Sequence, residues 1–374
     1  MKITKLLAIL MCVALCCVSC IAFAETTTIK IGVVAGITGN DPLEGERMVQ
    51  AIELANDQLT AAGGINGTMI ELDVQDSQGT TDGALNAFQK CIGDGCVAII
   101  GPHKSSAVMA VGATADENQI PFIYGGTSPN LLGQYAYGFG VRTNDKYAAQ
   151  IGAKVCVDTL SATKVGILYG SDDYGSGGMN VAATYFDENG IEYVAEAFNS
   201  GDTDITGQIL ALSNAGVDVI LAWSHGIDLA VVSRTMYDLG VTIPVVSASG
   251  AAVQQYIDLC EPEWLDGWYV VAEYLPTSTS EVLQQFAADF KEATGEDGEL
   301  FSSAYYGGFK VLVAALQNCE TFDSASIYAA LKEVKDVDGI LGTMSCDEEN
   351  QFMHSAVLAK MNGSVPEAIE EFSL

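Results

Sequence analysis

The chain has 374 residues, of which 49% are hydrophobic, so it is long enough for two domains that each bury a core. It carries 48 acidic and 16 basic residues, a formal net charge of −32, and such a protein is repelled by nucleic acids and by anionic membrane surfaces. Beyond the amino terminus, no stretch has the uninterrupted run of about 18 apolar residues that a membrane-spanning helix requires. We therefore expect a soluble mature protein.

The amino terminus has the order of a secretory signal peptide. Lys2 and Lys5 precede an apolar run over 6–18, and Ala22-Phe23-Ala24 is a small-x-small cleavage site. We expect residues 1–24 to be removed and the protein to be exported. Both lysines and no acidic residue lie in this segment, so the mature chain keeps 48 acidic and 14 basic residues, a net charge of −34.

Lipidation at Cys20 is the alternative to cleavage. The tripeptide Cys17-Val18-Ser19 before it forms only an imperfect lipobox. Cleavage after Ala24 is favoured because a strand already begins at Ile29, which leaves almost no tether between a lipid and the fold.

Six cysteines follow the signal, and an even number in an exported chain allows three disulfides. Cys91 and Cys96 flank a Gly-Asp-Gly turn and are candidates to pair across it. The others are Cys156, Cys260, Cys319 and Cys346, and their pairing is left open. No metal site is expected, because the sequence contains no CxxC, no HxxxH and no Cys/His cluster.

Strands and helices alternate from residue 28 onwards. In the first helix Met48, Ile52, Ala55 and Leu59 recur on one face, and Gly63-Gly64 ends it. The pattern predicts strands over 28–34, 69–75, 96–100, 121–124 and 137–142, and helices from Glu44 and over 81–92 and 105–117. Strands separated by helices of about 10–15 residues predict parallel βαβ units.

The same alternation restarts near Asn144. It predicts helices over 146–160, 175–189, 204–215, 227–239 and 251–260, and strands over 164–169, 191–197, 217–223, 243–247 and 268–273. Three helices, 280–294, 301–318 and 324–334, and a hairpin-like pair, 340–345 and 352–361, follow. Two runs of this kind predict an α/β protein with two doubly wound parallel-sheet lobes.

The late helices need an existing sheet to cover. If these helices return to the first sheet and the last strand joins the second, the chain crosses between the two lobes three times, near 144, 274 and 346. We therefore predict lobe 1 as 25–144 plus 274–345 and lobe 2 as 145–273 plus 346–374. Three chain segments that cross side by side between the lobes make a hinge that permits the lobes to close.

Two strand ends of the first lobe carry the residues of a candidate ligand site. One strand stops at Gly101-Pro102 and is followed by Ser105 and Ser106, and the next stops at Gly125-Gly126-Thr127. Ligands bind at the carboxyl edge of open α/β sheets, and the amides that open a helix attract a carboxylate. The alternative is that these are ordinary turns, in which Ser and Gly are common.

The sequence carries no catalytic signature. It has no GxSxG, no GxxxxGK[ST] and no GxGxxG motif. The histidines His103, His225 and His354 are far apart, and none has an obvious relay carboxylate. We expect neither an enzyme nor a cofactor.

Several segments together resemble a known family. They are GVVAGITG, ANDQLTAAGGINGTMIEL, IGPHKSS, IPFIYGGTSPNL and ILYGSDDYGSG. The chain is similar, over essentially its whole mature length, to the periplasmic leucine/isoleucine/valine-binding proteins and their amide-binding relatives. These are the type I solute-binding proteins of ABC importers. The resemblance implies a monomer whose two lobes close on a small solute and which delivers it to a membrane permease.

The resemblance also implies roles for matching residues. Ser105 corresponds to the serine that binds the ligand carboxylate, and Gly125, Gly126 and Thr127 to the clamp around the α-carbon substituents. Ser106 is the hydroxyl next to Ser105; the alternative is that it only caps the helix. Tyr174 matches a tyrosine that packs on the ligand; the alternative is that it is an ordinary turn residue.

Departures from the family put the ligand in doubt. The second-lobe glutamate that takes the ligand ammonium aligns with Ser249, and a neutral serine cannot replace it. Glu44 stands where the family often has an aromatic residue; it is a candidate carboxylate from the other lobe, or an exposed acid at a helix start. Trp223 or His225 is a candidate to form one face of the pocket; the alternative is that they only pack against the sheet. Phe301 is a candidate to form a wall of the pocket; the alternative is that it belongs to the hydrophobic core.

We therefore expect an extracytoplasmic solute-binding protein for an amino acid or a similar small polar solute. The alternatives are the same scaffold with a ligand that lacks an α-amino group, such as an amide, urea or an aromatic carboxylate, and a ligand-sensing domain without transport.

Overall fold

The structure is a computed structural model that describes residues 27–39, 42–352 and 355–373. The predicted signal peptide, the alternative lipidation site Cys20 and His354 lie outside these residues. No helix within the described ranges is both long enough and apolar enough to cross a membrane.

The first half of the chain forms a five-stranded parallel sheet in the order β2-β1-β3-β4-β5. Its elements are β1 (Thr28–Ala35), α1 (Pro42–Ala61), β2 (Met69–Asp76), α2 (Thr81–Gly93), β3 (Ala98–Ile100), α3 (Ser105–Asn118), β4 (Phe122–Tyr124) and β5 (Gly138–Gly140). The part of the molecule built on this sheet is called lobe 1.

The second sheet has seven strands in the order β14-β13-β10-β9-β8-β6-β7 and underlies lobe 2. Its first elements are α4 (Asp145–Lys154), which runs into a π-helical turn (Val155–Thr159), β6 (Lys164–Gly170), α5 (Asp173–Asn189), β7 (Glu192–Phe198), α6 (Thr206–Ala215) and β8 (Val219–Trp223). They are followed by α7 (Gly226–Leu239), β9 (Val245–Ser247), α8 (Gln254–Ile257), α9 (Pro262–Leu265) and β10 (Tyr269–Ala272).

The remaining chain completes both lobes. Its elements are α10 (Glu281–Thr294), α11 (Leu300–Gln317), α12 (Ser324–Lys332), β11 (Val337–Gly339), β12 (Gly342–Met344), β13 (Ser355–Asn362) and β14 (Val365–Ser373). Phe309 and Leu312 of α11 are buried in one core with Ile31 and Ile52 of lobe 1. The predicted α/β class with two doubly wound sheets is confirmed.

The predicted pairing at the carboxyl terminus is wrong. The segment expected at 340–345 pairs with β11, and the segment expected at 352–361 pairs with β14. The turn at Asn362-Gly363, where Gly363 has a φ of +58°, makes the second hairpin. Three glutamates and a proline make the exposed β14 look like a polar tail in sequence.

The helix predicted over 251–260 is also wrong. The chain instead forms a 3-10 turn (Ser249–Ala252), breaks at Val253 in an extended conformation and continues as the four-residue α8. Val253 is 2% exposed, so its burial accompanies the break. The break leaves Ser249 and Gly250 at the carboxyl end of β9, facing lobe 1.

Candidate functional site

A cleft of about 430 Å³ lies between the carboxyl edges of the two sheets. This figure includes the part of the cleft that is open to solvent, so the enclosed space between the facing side chains is much smaller. Lobe 1 contributes Glu44, His103, Lys104, Ser105, Thr127, Arg142, Leu300 and Phe301, and lobe 2 contributes Tyr174, Ser224, His225, Gly226, Ser249, Gly250, Val253 and Tyr256.

Ser105 is held as a hydrogen-bond donor at the start of α3. Its Oγ accepts the backbone N–H groups of Thr127 at 3.2 Å and Ser128 at 3.1 Å, and the residue is 3% exposed. A hydroxyl has two lone pairs and one proton, so these bonds leave only the proton to offer. A carboxylate or another acceptor in the cleft would satisfy it.

The start of α3 reinforces this preference. Its N-cap is Lys104, no side chain of the described residues caps its first amides, and its first turn holds no acidic residue. Uncapped amides carry a partial positive charge that attracts anions. This corner of the cleft is therefore suited to an anionic oxygen.

Glu44 is a buried carboxylate at the start of α1. Tyr256 of lobe 2 donates its hydroxyl to Glu44 Oε1 at 2.6 Å, and His103 Nε2 lies 3.2 Å from Oε2. Burial raises the pKa of Glu44, but the contact with His103 and its charge outweigh burial and hold the pKa well below its usual range. Glu44 is therefore ionised.

His103 does not use its full bonding capacity. Its side chain is 4% exposed, and among the described residues neither ring nitrogen has a partner at hydrogen-bond geometry. The ring packs edge-on against Phe301, with centroids 5.8 Å apart. Because buried polar atoms normally have a partner, His103 is available to a ligand in the cleft.

Arg142 and Glu273 form a buried ion pair between the two lobes. Arg142 Nη2 and Nε donate to Glu273 Oε1 at 2.6 and 3.2 Å, and the Thr143 N–H donates to Oε2 at 3.0 Å. Burial lowers the pKa of Arg142, but Glu273 outweighs burial and raises it. Arg142 also donates to Ser249 Oγ at 3.4 Å and lies over Phe301.

His225 and Asp172 form a second pair in lobe 2. His225 Nε2 lies 2.6 Å from Asp172 Oδ2, and Tyr174 stacks on the imidazole with centroids 5.0 Å apart. Burial lowers the pKa of His225, but the hydrogen bond and charge of Asp172 raise it overall. No relay carboxylate for either histidine is obvious in the sequence, because folding brings Glu44 beside His103 and Asp172 beside His225 from distant positions.

Seven of the eleven residues singled out in the sequence line the cleft. They are Glu44, Ser105, Thr127, Tyr174, His225, Ser249 and Phe301. The other four lie around it. Ser106 lines a small adjoining pocket, a side chain at Gly125 would meet Tyr305, a side chain at Gly126 would meet Ser105, and Trp223 is 1% exposed in the core of lobe 2.

Sequence reasoning missed His103, Lys104, Arg142 and Tyr256 as cleft residues. Arg142 carried a usable signal, because a basic residue directly after a buried strand is rare in a chain with so few of them. Tyr256 gave none, because it falls in a segment predicted as one regular helix.

Several charged groups at the cleft lie beside a group that can carry the opposite charge. Arg142 pairs with Glu273, His225 with Asp172, and Glu44 lies beside His103. Such a cleft is suited to a small polar solute of low net charge.

Comparisons with known proteins agree with this geometry. The sequence model of a family described as periplasmic binding protein matches residues 28–365. The Leu/Ile/Val-binding protein BraC3 of Rhizobium johnstonii is 24% identical over 342 residues, which are 88% of this chain and 91% of that protein.

Two solved structures share the fold. The branched-chain amino acid transporter substrate-binding protein LivJ of Streptococcus pneumoniae, in complex with isoleucine, has a TM-score of 0.85 at 23% identity and covers 93% of this chain and 100% of its own. A solute-binding protein of an ABC transporter from Rhodopseudomonas palustris BisB5, in complex with 3,4-dihydroxybenzoic acid, has a TM-score of 0.83 at 19% identity. It covers 92% of this chain and 97% of its own. The chain therefore belongs to the periplasmic binding protein family, as a type I member similar to the leucine/isoleucine/valine-binding proteins.

Proposed function

We propose that this protein is the extracytoplasmic receptor of an ABC importer and captures an amino acid or a similar small polar solute between two lobes that close. The observation that carries the proposal is Ser105, a buried hydroxyl with only its proton to donate, at the uncapped start of α3 in an interlobe cleft. The solute then passes to a membrane permease, and no bond is broken.

The carboxylate of the solute is assigned to lobe 1. Ser105 donates its hydroxyl proton, and the first amides of α3 add donors beside the charge of Lys104. Thr127 lines the same corner, whereas Ser106 lines an adjoining pocket. Charge-assisted hydrogen bonds of this kind are roughly twice as strong as neutral ones.

The ammonium of the solute is assigned to Glu44. Ser249 has no charge, and Glu44 is the only acidic side chain among the described residues that line the cleft. It is ionised, buried and bonded to Tyr256 of the opposite lobe, so it reaches the side of the cleft where the family's glutamate would lie. A carboxylate accepts about four hydrogen bonds, which leaves capacity for an ammonium.

Closure is supported by the contacts that join the lobes. The Tyr256–Glu44 and Arg142–Ser249 hydrogen bonds both cross the cleft, and Val253 and Tyr256 pack in one apolar cluster with Phe301 of lobe 1. An open form would lack these contacts. A solute that touches both lobes therefore shifts the population towards the closed form. Tyr174 and Phe301 are assigned to its walls.

A ligand without an amino group is the second candidate. The loss of the glutamate at Ser249 favours it, and a structural neighbour is described in complex with an aromatic carboxylate, 3,4-dihydroxybenzoic acid. The same lobe 1 corner would bind the carboxylate of such a ligand. A sensing role without transport would use the same cleft.

A thermal-shift panel of the mature chain tests the proposal. It compares free amino acids with their amides, with urea and with aromatic carboxylates, and calorimetry confirms each hit. We expect one narrow class of free amino acids to raise the Tm. Stabilisation by aromatic carboxylates or amides alone would replace the first candidate with the second, and turnover of any bound compound would refute both.

A further inference from the structure

Helix α2 ends in a turn that brings two cysteines together. The Cys96 N–H donates to Cys91 O at 3.0 Å, the Gly95 N–H donates to Ile92 O at 3.1 Å, and Gly95 has a φ of +83°. This is the Schellman pattern, in which the side chains at the third-last helical position and the second position beyond the helix touch. In this chain those positions hold Cys91 and Cys96.

The two thiols share a small buried space with Asp73 of β2. Cys96 Sγ lies 3.6 Å from Asp73 Oδ2, and the two sulfurs and a carboxylate oxygen of Asp73 all lie within 4.8 Å of one another. Cys91 is fully buried and Cys96 is 6% exposed. Gly32 makes the room, since a side chain there would come within 2.8 Å of Cys91 Sγ.

We propose that Cys91 and Cys96 form an intrachain disulfide in the exported protein. Each thiol loses its proton, the sulfurs join, and two electrons pass to an oxidant that is itself a disulfide, either of a thiol oxidoreductase or of a small molecule such as oxidised glutathione. That disulfide is reduced to two thiols, so atoms and electrons balance. Exported proteins meet such oxidants, whereas cytosolic ones are kept reduced.

A metal ion is the competing occupant of the three-atom cluster. A structural zinc site takes four ligands, and the described residues at this place supply three. A disulfide needs only the two sulfurs, and this short segment holds them within 4.8 Å of each other. The described polar contacts of Cys260 and Cys319 are with a serine hydroxyl and backbone carbonyls, so these cysteines provide the comparison.

The disulfide also changes the role of Asp73. In the reduced form its carboxylate accepts a hydrogen bond from the Cys96 thiol, and its negative charge lies beside both sulfurs. We therefore expect Asp73→Asn to speed disulfide formation by oxidised glutathione several-fold in the reduced, folded protein. The Gln75 amide, which donates to Asp73 Oδ1, remains in place as a bonding partner for the asparagine oxygen.

Thiol mapping of the full mature chain, purified from the exported fraction without reductant, tests the inference. Free thiols are alkylated in denaturant before digestion with trypsin, which leaves both cysteines on the single peptide 91–104. We expect this peptide to be unlabelled and two hydrogens lighter than its reduced form, and to take two labels after reduction. The peptide with Cys319 serves as the control that alkylation reached completion.

Two other results would overturn the inference. One is a peptide 91–104 that takes two labels before reduction in protein from an oxidising compartment. The other is one bound zinc ion per chain, with both thiols labelled once a chelator is added. As a second readout, the Cys91→Ser/Cys96→Ser double variant should lose about 4 °C or more in Tm relative to the oxidised wild type, and an unchanged Tm would also count against the disulfide. Cys319→Ser is the matched control.

Discussion

Asp145 shows how one buried carboxyl can set the pH dependence of stability. Burial raises its pKa from 3.8 to about 8, although Arg142 and the Thr127 hydroxyl, which donates to Asp145 at 3.0 Å, partly offset this. The folded state therefore binds more protons than the unfolded state between these two values. The free energy of unfolding should fall as the pH rises from about 4 to about 8.

Asp145→Asn should remove this part of the pH dependence. The asparagine oxygen can still accept from Thr127, but it has no proton to lose. Urea unfolding at pH 5, 7 and 9 measures the effect, with the exposed Asp187→Asn as control. We expect the variant to be more stable than wild type at pH 9 and to differ little at pH 5. If the free energy of unfolding of the variant falls with pH as steeply as that of the wild type, this account is contradicted.

Glu44→Gln tests the assignment of the ammonium. The change keeps the size of the side chain but removes the charge, so an amino acid that binds the wild type should bind about 10–100-fold more weakly. The deamino analogue of that amino acid should bind both forms equally. Calorimetric titration of the two ligands with both proteins measures this, and an equal loss for both ligands would mean that Glu44 acts only through the shape of the cleft.

The packing of α5 on lobe 2 depends on one small residue. A Cβ at Gly178 would lie 2.2 Å from Trp223 Cδ1, so α5 would have to move away from the sheet. We expect Gly178→Ala to lower the free energy of unfolding by about 1–3 kcal/mol. Gly207→Ala, on the exposed side of α6 with open space around it, should leave it unchanged or raise it by up to about 1 kcal/mol. Equal effects of the two changes in urea unfolding would contradict this account.

Most elements follow from local pattern, and those that do not have identifiable causes. Met48 and Ile52 fix the buried face of α1, and the glycines after it end the helix, as expected. The acidic β14 has no apolar alternation and is formed by pairing with β13, so its own sequence does not predict it. Likewise, the break at Val253 depends on burial in a tertiary core.

Some features of the candidate site were likewise predictable from the sequence and others were not. Ser105 was predictable because it follows a strand end at the edge where ligands bind. The pairs Glu44–His103 and His225–Asp172 were not, because their members are 59 and 53 positions apart in sequence and meet only when the sheets are assembled. The lobe boundaries near 144, 274 and 346 remain predictions.

The two lobes are joined across the cleft by few polar contacts. Tyr256→Phe removes the hydroxyl that lobe 2 donates to Glu44 and leaves the aromatic packing intact. The closed form should lose stability, so every solute should bind about tenfold more weakly, whatever its charge. Small-angle X-ray scattering of the free protein should show a larger radius of gyration than for wild type. An unchanged radius together with unchanged affinity would show that this bond does not hold the lobes.

The most direct measurement identifies the solute that leaves with the denatured protein. The mature chain is purified gently, denatured and examined by mass spectrometry, in parallel with Ser105→Ala and with Ser106→Ala as the matched control. We predict one small carboxylate-bearing solute per chain from wild type and from Ser106→Ala, and little or none from Ser105→Ala. A solute without an acidic group, or one retained equally well by Ser105→Ala, would contradict the account.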